Sequence, residues 1–445
     1  MKRLHRPLAC LVAVLLLLAA VPAPAAPIAH REVLPNGIVL LVAERPGVPI
    51  VAVRVFMRAG AAFEPTDHDG LANLTGALLT RGTAKRTGPE LDSAIEFVGG
   101  SLEAGAARDG LTASLSILKR DLTLGLDLLG EVVLSPTFPT QELTRKAAQI
   151  QAAIKRSEED PGTVAGRALT RLVFPNHPYG KPVEGTIESV GKLTRDDVVS
   201  FYRTHVRPDT AIVAVVGDIT VDEARREILK RFGGWTPPAP PAPSVSPAPG
   251  GAPPRSETIT KDLTQATILL GRQAVRQVDP DYFPLAVGSY ILGGGSASRL
   301  YGRVRDEGGL AYAVFSYVSP GRYGAAFTVS AQTRTAETAK VVDILRAELG
   351  RMTRDRVKDD ELKLAKDYLI GSFPLRLDTT AKVADFVIAI EEQGLGLDYA
   401  DRYKASIAKV TAADVQRVAR KYLTKENRSV VVTTPKAAAP KGVPQ

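Results

Sequence analysis

Cysteine is almost absent from this sequence, which has one in 445 residues, together with one tryptophan, three methionines and five histidines. The single cysteine, Cys10, lies in an N-terminal segment that reads as cleaved, so the chain after Ala25 has no thiol. That excludes disulfides, thiolate metal sites and a cysteine nucleophile. Beyond residue 26 there is no apolar run long enough to cross a bilayer, which excludes a polytopic membrane protein. Strong charge of one sign is missing too. The formal net charge of +9 falls to +6 once Lys2, Arg3 and Arg6 are removed, and Lys and Arg alternate with Asp and Glu in RREILKRF and TRDRVKDDELKLAKD. This suits solvated helix faces, and nucleic acid is not expected as a partner.

What is present begins with an export signal. Residues 1–26 read MKRLHRPLACLVAVLLLLAAVPAPAA, with three basic residues, an apolar run from Leu8 to Val21 and the small-x-small site Ala23-Pro24-Ala25. The run is shorter than the ~20 residues of a membrane span, so no stable anchor is expected. Pro7-Leu8-Ala9 is a poor lipobox. Export in a Gram-negative cell means the periplasm. A Pro/Ala/Ser/Gly-rich stretch at 236–255 then reads as a semi-rigid linker, and 436–445 as a flexible tail.

The halves on either side of the linker, 27–235 and 256–435, repeat one order of elements. In the first, GIVLLVAE and IVAVRVFMRAG read as a hairpin through ERPGVP. Helical spacing follows in GLANLTGALLTRGT and TGPELDSAIEFVGG, then paired strands in SLEAGAARDGLTASLSILK and a helix in DLTLGLDLLGEVVLS. In the second, TQATILLGRQAV is the strand and DYFPLAVGSYILGG with SRLYGRVRDEGG the helical stretch. AYAVFSYVSPGRYGAAFTVSAQT is the strand pair and TAKVVDILRAELGRM the long helix. The expected fold is α+β: two homologous domains, each a mostly antiparallel sheet packed with helices, joined by the Pro/Ala-rich linker.

The segments LPNGIVLLV, VRVFMRAGAAFEP, GLANLTGALLTRGT, IEFVGGSLEAGAARDGLT, FPNHPYGKPVEGT, FYRTHVRPDTAIVAVVGDI and LGGGSASRLYGRVRDEGGLAYAV, in this order, resemble the insulinase-like or pitrilysin-like zinc metallopeptidases, in particular their processing-peptidase-like branch. Catalytic members carry H-x-x-E-H on a helix, two histidines facing one metal and a glutamate acting as general base. The resemblance places those positions at Asn73, Gly76 and Ala77, between Gly70 and Arg81-Gly82-Thr83; none is a histidine or a carboxylate, and only Asn73 has an oxygen, a weak donor, to offer. Where the family's later zinc-binding glutamate belongs, this chain has Ala152 or Ala153, and Glu158 and Glu159 read as solvated charges at a helix end. His30, His68, His177 and His205 are too scattered to form a ligand pair, His68 reading as a loop residue and His177 as part of a structural loop. No metal and no cofactor is expected in this chain.

The second half keeps what the resemblance implies for the other side of a site. The stretch LYGRVRDEGGLAYAV matches the family's Arg and Tyr donors at Arg305 and Tyr312, which in relatives contact the bound peptide or the developing oxyanion. The alternative from residue type alone is an arginine paired with Asp306 or Glu307 and a tyrosine in a sheet. The run LGGGSAS contains Gly293, Gly294 and Gly295 but no Gly-Lys-Ser/Thr, so it is no Walker loop; substrate handling and a tight connection before a helix both remain open. The resemblance therefore implies a non-catalytic subunit of a heteromeric exported zinc peptidase. Its zinc-binding, H-x-x-E-H-carrying partner holds the metal, and Arg305 and Tyr312 act on peptides in that partner's site. The alternative class is a non-proteolytic scaffold or peptide-binding protein on the same fold.

Overall fold

A computed structural model describes residues 27–251, 253–261 and 265–424 and the backbone of 429–435. The export signal at 1–25 and the tail at 436–445 lie outside the described residues. The first sheet contains β1 (His30–Val33), β2 (Val39–Glu44), β3 (Ile50–Met57), β4 (Ser101–Ala106), β5 (Leu111–Leu118) and β6 (Ile212–Gly217), in the order β1-β2-β6-β3-β5-β4. The second contains β7 (Ser256–Lys261), β8 (Gln265–Ala274), β9 (Ala311–Ser319), β10 (Ala325–Arg334) and β11 (Ser429–Pro435), in the order β7-β11-β8-β10-β9. In each sheet one parallel pair, β2 with β6 and β11 with β7, stands beside antiparallel neighbours. The five-strand unit β2-β6-β3-β5-β4 thus recurs as β7-β11-β8-β10-β9, with β1 as an addition to the first.

This order corrects the hairpin expected of β2 and β3. The two are separated by β6, which pairs parallel to the one and antiparallel to the other. All six residues of β6, IVAVVG, are buried, so this strand needs neighbours on both sides and takes the central slot. Gly217 makes the insertion possible: at φ +139°, a Cβ there would stand 2.1 Å from the carbonyl oxygen of Ile50. The hairpins β4–β5 and β9–β10 form as their alternating patterns predict.

The helices that follow the strands supply the cores. In the first half these are α1 (Leu71–Leu78), α2 (Gly88–Phe97), α3 (Leu122–Leu134), α4 (Thr140–Ser157), α5 (Pro161–Val173), α6 (Ile187–Lys192), α7 (Arg195–His205) and α8 (Val221–Phe232). In the second they are α9 (Tyr282–Gly293), α10 (Thr338–Arg354), α11 (Asp359–Ser372), α12 (Thr380–Glu392), α13 (Tyr399–Lys409) and α14 (Ala412–Tyr422). Two helices cross over. α5 packs on β8 and β11 of the second sheet, where the side chain of Leu169 closes on Gly271, and α12 packs on β3 and β6 of the first. Val383, Ala384, Val387 and Ile388 of α12 form one buried cluster with Ala43, Ala52, Phe56, Ala214 and Val216. Ion pairs flank the exchange: Arg54 with Asp385 at 2.7 Å, Arg31 with Glu391 at 2.9 Å and Arg171 with Glu257 at 2.9 Å. Each half therefore completes the core of the other, and a shear between them would expose apolar surface.

The Pro/Ala-rich stretch has no regular secondary structure among its described residues and runs along the seam between the halves. Pro240 accepts from Arg207 (2.8 Å), Ser246 meets His177 (3.0 Å) and the Ala248 amide donates to Tyr323 (2.6 Å).

Candidate functional site: a closed helix and an open arginine

The apolar positions of LANLTGAL make α1 a helix with its buried side against β4. Its free N-terminal amides are satisfied by Glu64, whose carboxyl accepts from Gly70 (3.1 Å) and Ala72 (2.8 Å). Withdrawal from water pushes the Glu64 carboxyl up to about 8, against the lowering effect of those two amides. Asn73 and Ala77 are half-buried and Gly76 is buried. A Cβ at Gly76 would lie 2.9 Å from the amide nitrogen of Ala106 and 2.9 Å from the carbonyl carbon of Gly105, so β4 occupies the space that a side chain at 76 would need.

The donors for a zinc ion are accordingly wanting. Positions 73, 76 and 77 present an amide, a hydrogen and a methyl group, and Ala152 and Ala153 stand exposed on α4. Glu64 is committed to the helix end, and its raised pKa leaves it largely protonated near neutrality. Glu158 and Glu159 are exposed at the end of α4. Among the described residues no group of three or more His, Cys, Asp or Glu is placed to hold a metal. The residues present do not fit the family's metal. A cleft of about 740 Å³ beside this helix, lined by Glu64, Asp69, Ile154, Glu158 and Lys181 among others, carries Asp69 and Lys181 already paired at 2.6 Å.

The histidines have separate duties. His177 accepts from the Tyr179 amide (3.1 Å) and hydrogen-bonds Ser246 (3.0 Å), pinning the linker to the loop after α5. His205 is buried against Phe201, its ring pushed down to about 4 by desolvation and by Arg207. His68 lies 3.5 Å from Asp197, and His30 lies 3.9 Å from Glu32.

The second half presents a different picture. Residues Tyr301–Asp306 form a π-helical turn, where the sequence pattern implied a plain helical stretch. Arg305 projects from it between two rings, 4.9 Å from the centroid of Tyr301 and 5.5 Å from that of Tyr312. Neither of the carboxylates that residue type alone would offer it, Asp306 and Glu307, pairs with it among the described residues, and Glu307 pairs with Arg303 at 2.7 Å. The exposed Arg305 side chain makes no ion pair or hydrogen bond among the described residues, while its backbone carbonyl accepts from the Gly309 amide (3.0 Å). Tyr312 is 78% exposed and sits where the β9–β10 register slips by one residue. The structure thus brings Arg305 and Tyr312 together, and no hydrogen bond, ion pair or ring contact joins them to Asn73, Gly76 or Ala77 among the described residues. Of the glycine run, Gly293 is explained by packing: a Cβ there would meet the Ser316 amide of β9 at 2.5 Å. Gly295 approaches the Tyr290 hydroxyl, and Gly294 is exposed.

Two features at this end escaped the sequence reading. Phe315 and Tyr317 stand exposed on β9, stacked at 5.8 Å, a pattern visible as alternation in AYAVFSYVS although the edge position is not. At the seam, the hairpin turns of the two halves meet: Asp109 accepts from the Tyr179 hydroxyl and from the Arg322 amide (3.2 Å). Glu392, beside Arg322 and Asp109, is pushed up to about 7, chiefly by burial.

Residues 39–187 match the family Insulinase (Peptidase family M16), and residues 192–369 match the Peptidase M16 inactive domain. An uncharacterized zinc protease of Streptomyces coelicolor is 30% identical over 399 residues, spanning 88% of this chain and 87% of that protein. The chain belongs to the insulinase family of peptidases. An uncharacterized zinc protease of Mycobacterium leprae is also 30% identical, over 352 residues, 78% of this chain and 79% of the other. Among solved structures, a peptidase M16 inactive domain from Pseudomonas fluorescens superposes with a TM-score of 0.86 at 25% identity, covering 93% of this chain and 99% of that one. A Helicobacter pylori protease superposes at 0.85 and 21% identity, covering 92% and 100%, a likeness of fold. The M16 frame is thus present in full, as an α+β protein of two peptidase-like halves. Among the described residues no helix is long and apolar enough to cross a membrane.

Proposed function

We propose that this chain is the non-catalytic subunit of a heteromeric, exported M16 zinc peptidase, and that it lends Arg305 and Tyr312, with a peptide-binding surface, to the site of a homologous H-x-x-E-H partner. The observation that carries the reading is the unpaired guanidinium of Arg305, held between two tyrosine rings in a chain whose own metal helix is closed against β4. Arg305 is exposed and no carboxylate engages it, so its guanidinium is open to an anion or a polarised carbonyl brought by another molecule. In the partner's site the guanidinium and the phenolic hydroxyl would stabilise negative charge growing on the scissile carbonyl oxygen, and losing one such donor typically costs about 3 kcal/mol. Zinc belongs to the partner and peptides are the substrates. The basic, apolar leader supports export, with the periplasm as destination. The glycine run, of which Gly294 is exposed, is a further candidate for that peptide-binding surface.

The test is to purify the chain from its native cell, identify what accompanies it and assay zinc. The expected companion is of similar length, carries H-x-x-E-H and holds the metal. In the reconstituted pair, Arg305→Ala lowers kcat about 100-fold and Tyr312→Phe lowers it by a smaller factor. Unchanged turnover in both variants, or stoichiometric zinc on the isolated chain, refutes the proposal. Absence of any peptidase companion points to the scaffold reading instead.

A further inference from the structure

Four elements meet at one point of the seam: the β4–β5 turn and the stretch after β3 from the first half, the β9–β10 turn and the C-terminal end of α12 from the second. The joint is built on Asp109, which accepts from the Tyr179 hydroxyl and from the Arg322 amide (3.2 Å), while that hydroxyl accepts from the Tyr323 amide (3.1 Å). Tyr323 also seats the linker, its carbonyl accepting from Ala248. Glu392, the last residue of α12, is only 5% exposed beside this joint. Arg322 donates to its backbone carbonyl and stands 3.8 Å from Oε1, and Arg58, which follows β3, acts on it as well. Yet Glu392 Oε1 and Arg58 Nε are both buried without a hydrogen-bond partner among the described residues. The other charges nearby are engaged, Glu391 with Arg31 (2.9 Å) and Arg276 with the Arg322 carbonyl (3.4 Å). Opposite charges that share a buried cluster without bonding mark the carboxyl as neutral, because an ionised one would draw both guanidinium groups onto itself.

We propose that Glu392 is a proton-operated latch on the seam: its neutral carboxyl leaves Asp109 to hold the two hairpin turns together, and its ionisation releases the β9–β10 turn. Loss of the proton sets a second negative charge beside Asp109 and draws Arg322 from the helix-end carbonyl, and Arg58 with it, toward the carboxylate. Both changes work against the Arg322 amide, whose bond to Asp109 is the longest in the joint. The direction of titration agrees. Burial, and after it Asp109, push the Glu392 carboxyl up to about 7, against Arg322 and Arg58. The closed joint thus holds the proton more tightly than an opened one, where the group returns to 4.5; this stabilisation is complete below about 4.5 and is lost as pH rises through about 7. α5 and α12 remain buried in the opposite halves, so the change is confined to the turn and the linker seated on it. The latch is separate from the roles proposed for Arg305 and Tyr312 and stands or falls without them.

The experiment uses the chain from residue 27 to 445 and amide hydrogen exchange by mass spectrometry between about pH 6 and pH 8, corrected for the intrinsic pH dependence of exchange. It is read on a peptide spanning 319–325, which contains the Arg322 and Tyr323 amides, with a peptide from within α3 as control. A carboxyl that titrates near 7 in the closed joint and near 4.5 in the opened one makes opening about tenfold more frequent at the upper pH than at the lower. Protection of the turn is expected to fall by that factor while the α3 peptide is unchanged. Glu392→Gln keeps its protection across the range. Arg58→Gln, which removes a cation favouring the charged form, moves the midpoint of the loss to higher pH. No fall in the parent, a fall of equal size in Glu392→Gln, or an equal fall in α3 overturns the proposal. Should Glu392→Gln not fold, Arg58→Gln decides: a raised midpoint supports the latch, and an unchanged or lowered one refutes it.

Discussion

Replacing Gly76 by alanine places a methyl carbon where α1 crosses β4, 2.9 Å from two backbone atoms that have no rotamer by which to move aside. Two effects compete. In a helix alanine is favoured over glycine by about 1 kcal/mol, and overpacking a closed contact costs about 1–3 kcal/mol, more when backbone has to shift. The sign should follow the contact, with a net loss of about 1–2 kcal/mol. Gly166, in α5, is the control: it has the same residue and the same helical setting, but no atom within 4 Å of the Cβ it would gain. There only the propensity and unfolded-chain terms act, and Gly166→Ala should add about 0.4–1 kcal/mol. Urea denaturation followed by far-ultraviolet circular dichroism would read both as shifts of the midpoint in opposite directions, with the slope unchanged. If Gly76→Ala were as stable as the parent or more so, α1 would not be seated on β4, and the claim that position 76 has no room for a catalytic base would fail.

Stability should also fall as the solution is made alkaline. The Glu64 carboxyl has its pKa raised from 4.5 to about 8, so the folded state holds this proton more tightly than the unfolded one; the resulting stabilisation is complete below about 4.5 and is lost as pH rises through about 8. Glu64→Gln keeps an acceptor for Gly70 and Ala72 and should lose less of its urea midpoint between pH 5.5 and 9 than the parent does; equal losses would show that Glu64 does not titrate in that window. Part of the slope should survive in the variant, because Glu392, raised to about 7, acts in the same direction. Restoring the motif by N73H, G76E and A77H together should yield no stoichiometric zinc by metal analysis after dialysis, since alanine occupies the further ligand position and position 76 is closed. A folded triple variant with one tightly held zinc per chain would overturn that reading.

Local pattern was enough to find most elements and too little to say what they touch. SLEAGAARDGLTASLSILK announces two strands because side chains alternate between faces, and they pair as neighbours because a tight turn joins them. The β-branched runs of β2 and β3, joined through a turn-like segment, suggested a hairpin, although the strand between them arrives more than 150 residues later along the chain. A burial pattern reports that a face is covered and is silent about what covers it, which is also why the exchange of α5 and α12 left no trace in the sequence. The missing ligands at 73, 76 and 77 were legible because they are a matter of residue type. The free state of Arg305 was not, since Asp306 and Glu307 follow it directly. Its isolation depends on the π-helical turn that carries it and on Arg303 engaging Glu307 four residues ahead.

The duplication supplies a comparison that no second protein is needed to make. In each half a helix lies on the edge strand with a glycine at the crossing, Gly76 of α1 over Gly105 and Ala106, Gly293 of α9 over Ser316. Equivalent geometry has met different residues at its outer surface. In the first half the edge is short and bears Glu103, and the helix positions that would bind a metal carry no histidine or carboxylate. In the second the edge is long, aromatic and headed by an uncommitted arginine. The two surfaces cannot easily swing relative to one another, because α5 and α12 are each buried in the opposite half and the seam is tied by Arg54–Asp385, Arg31–Glu391 and Arg171–Glu257. A site that needs Arg305 and Tyr312 in register with reacting atoms to within about 0.5 Å therefore cannot be assembled by closure within this chain. Under the proposed function the other half of the site is therefore supplied by the partner subunit and not by a movement of this one.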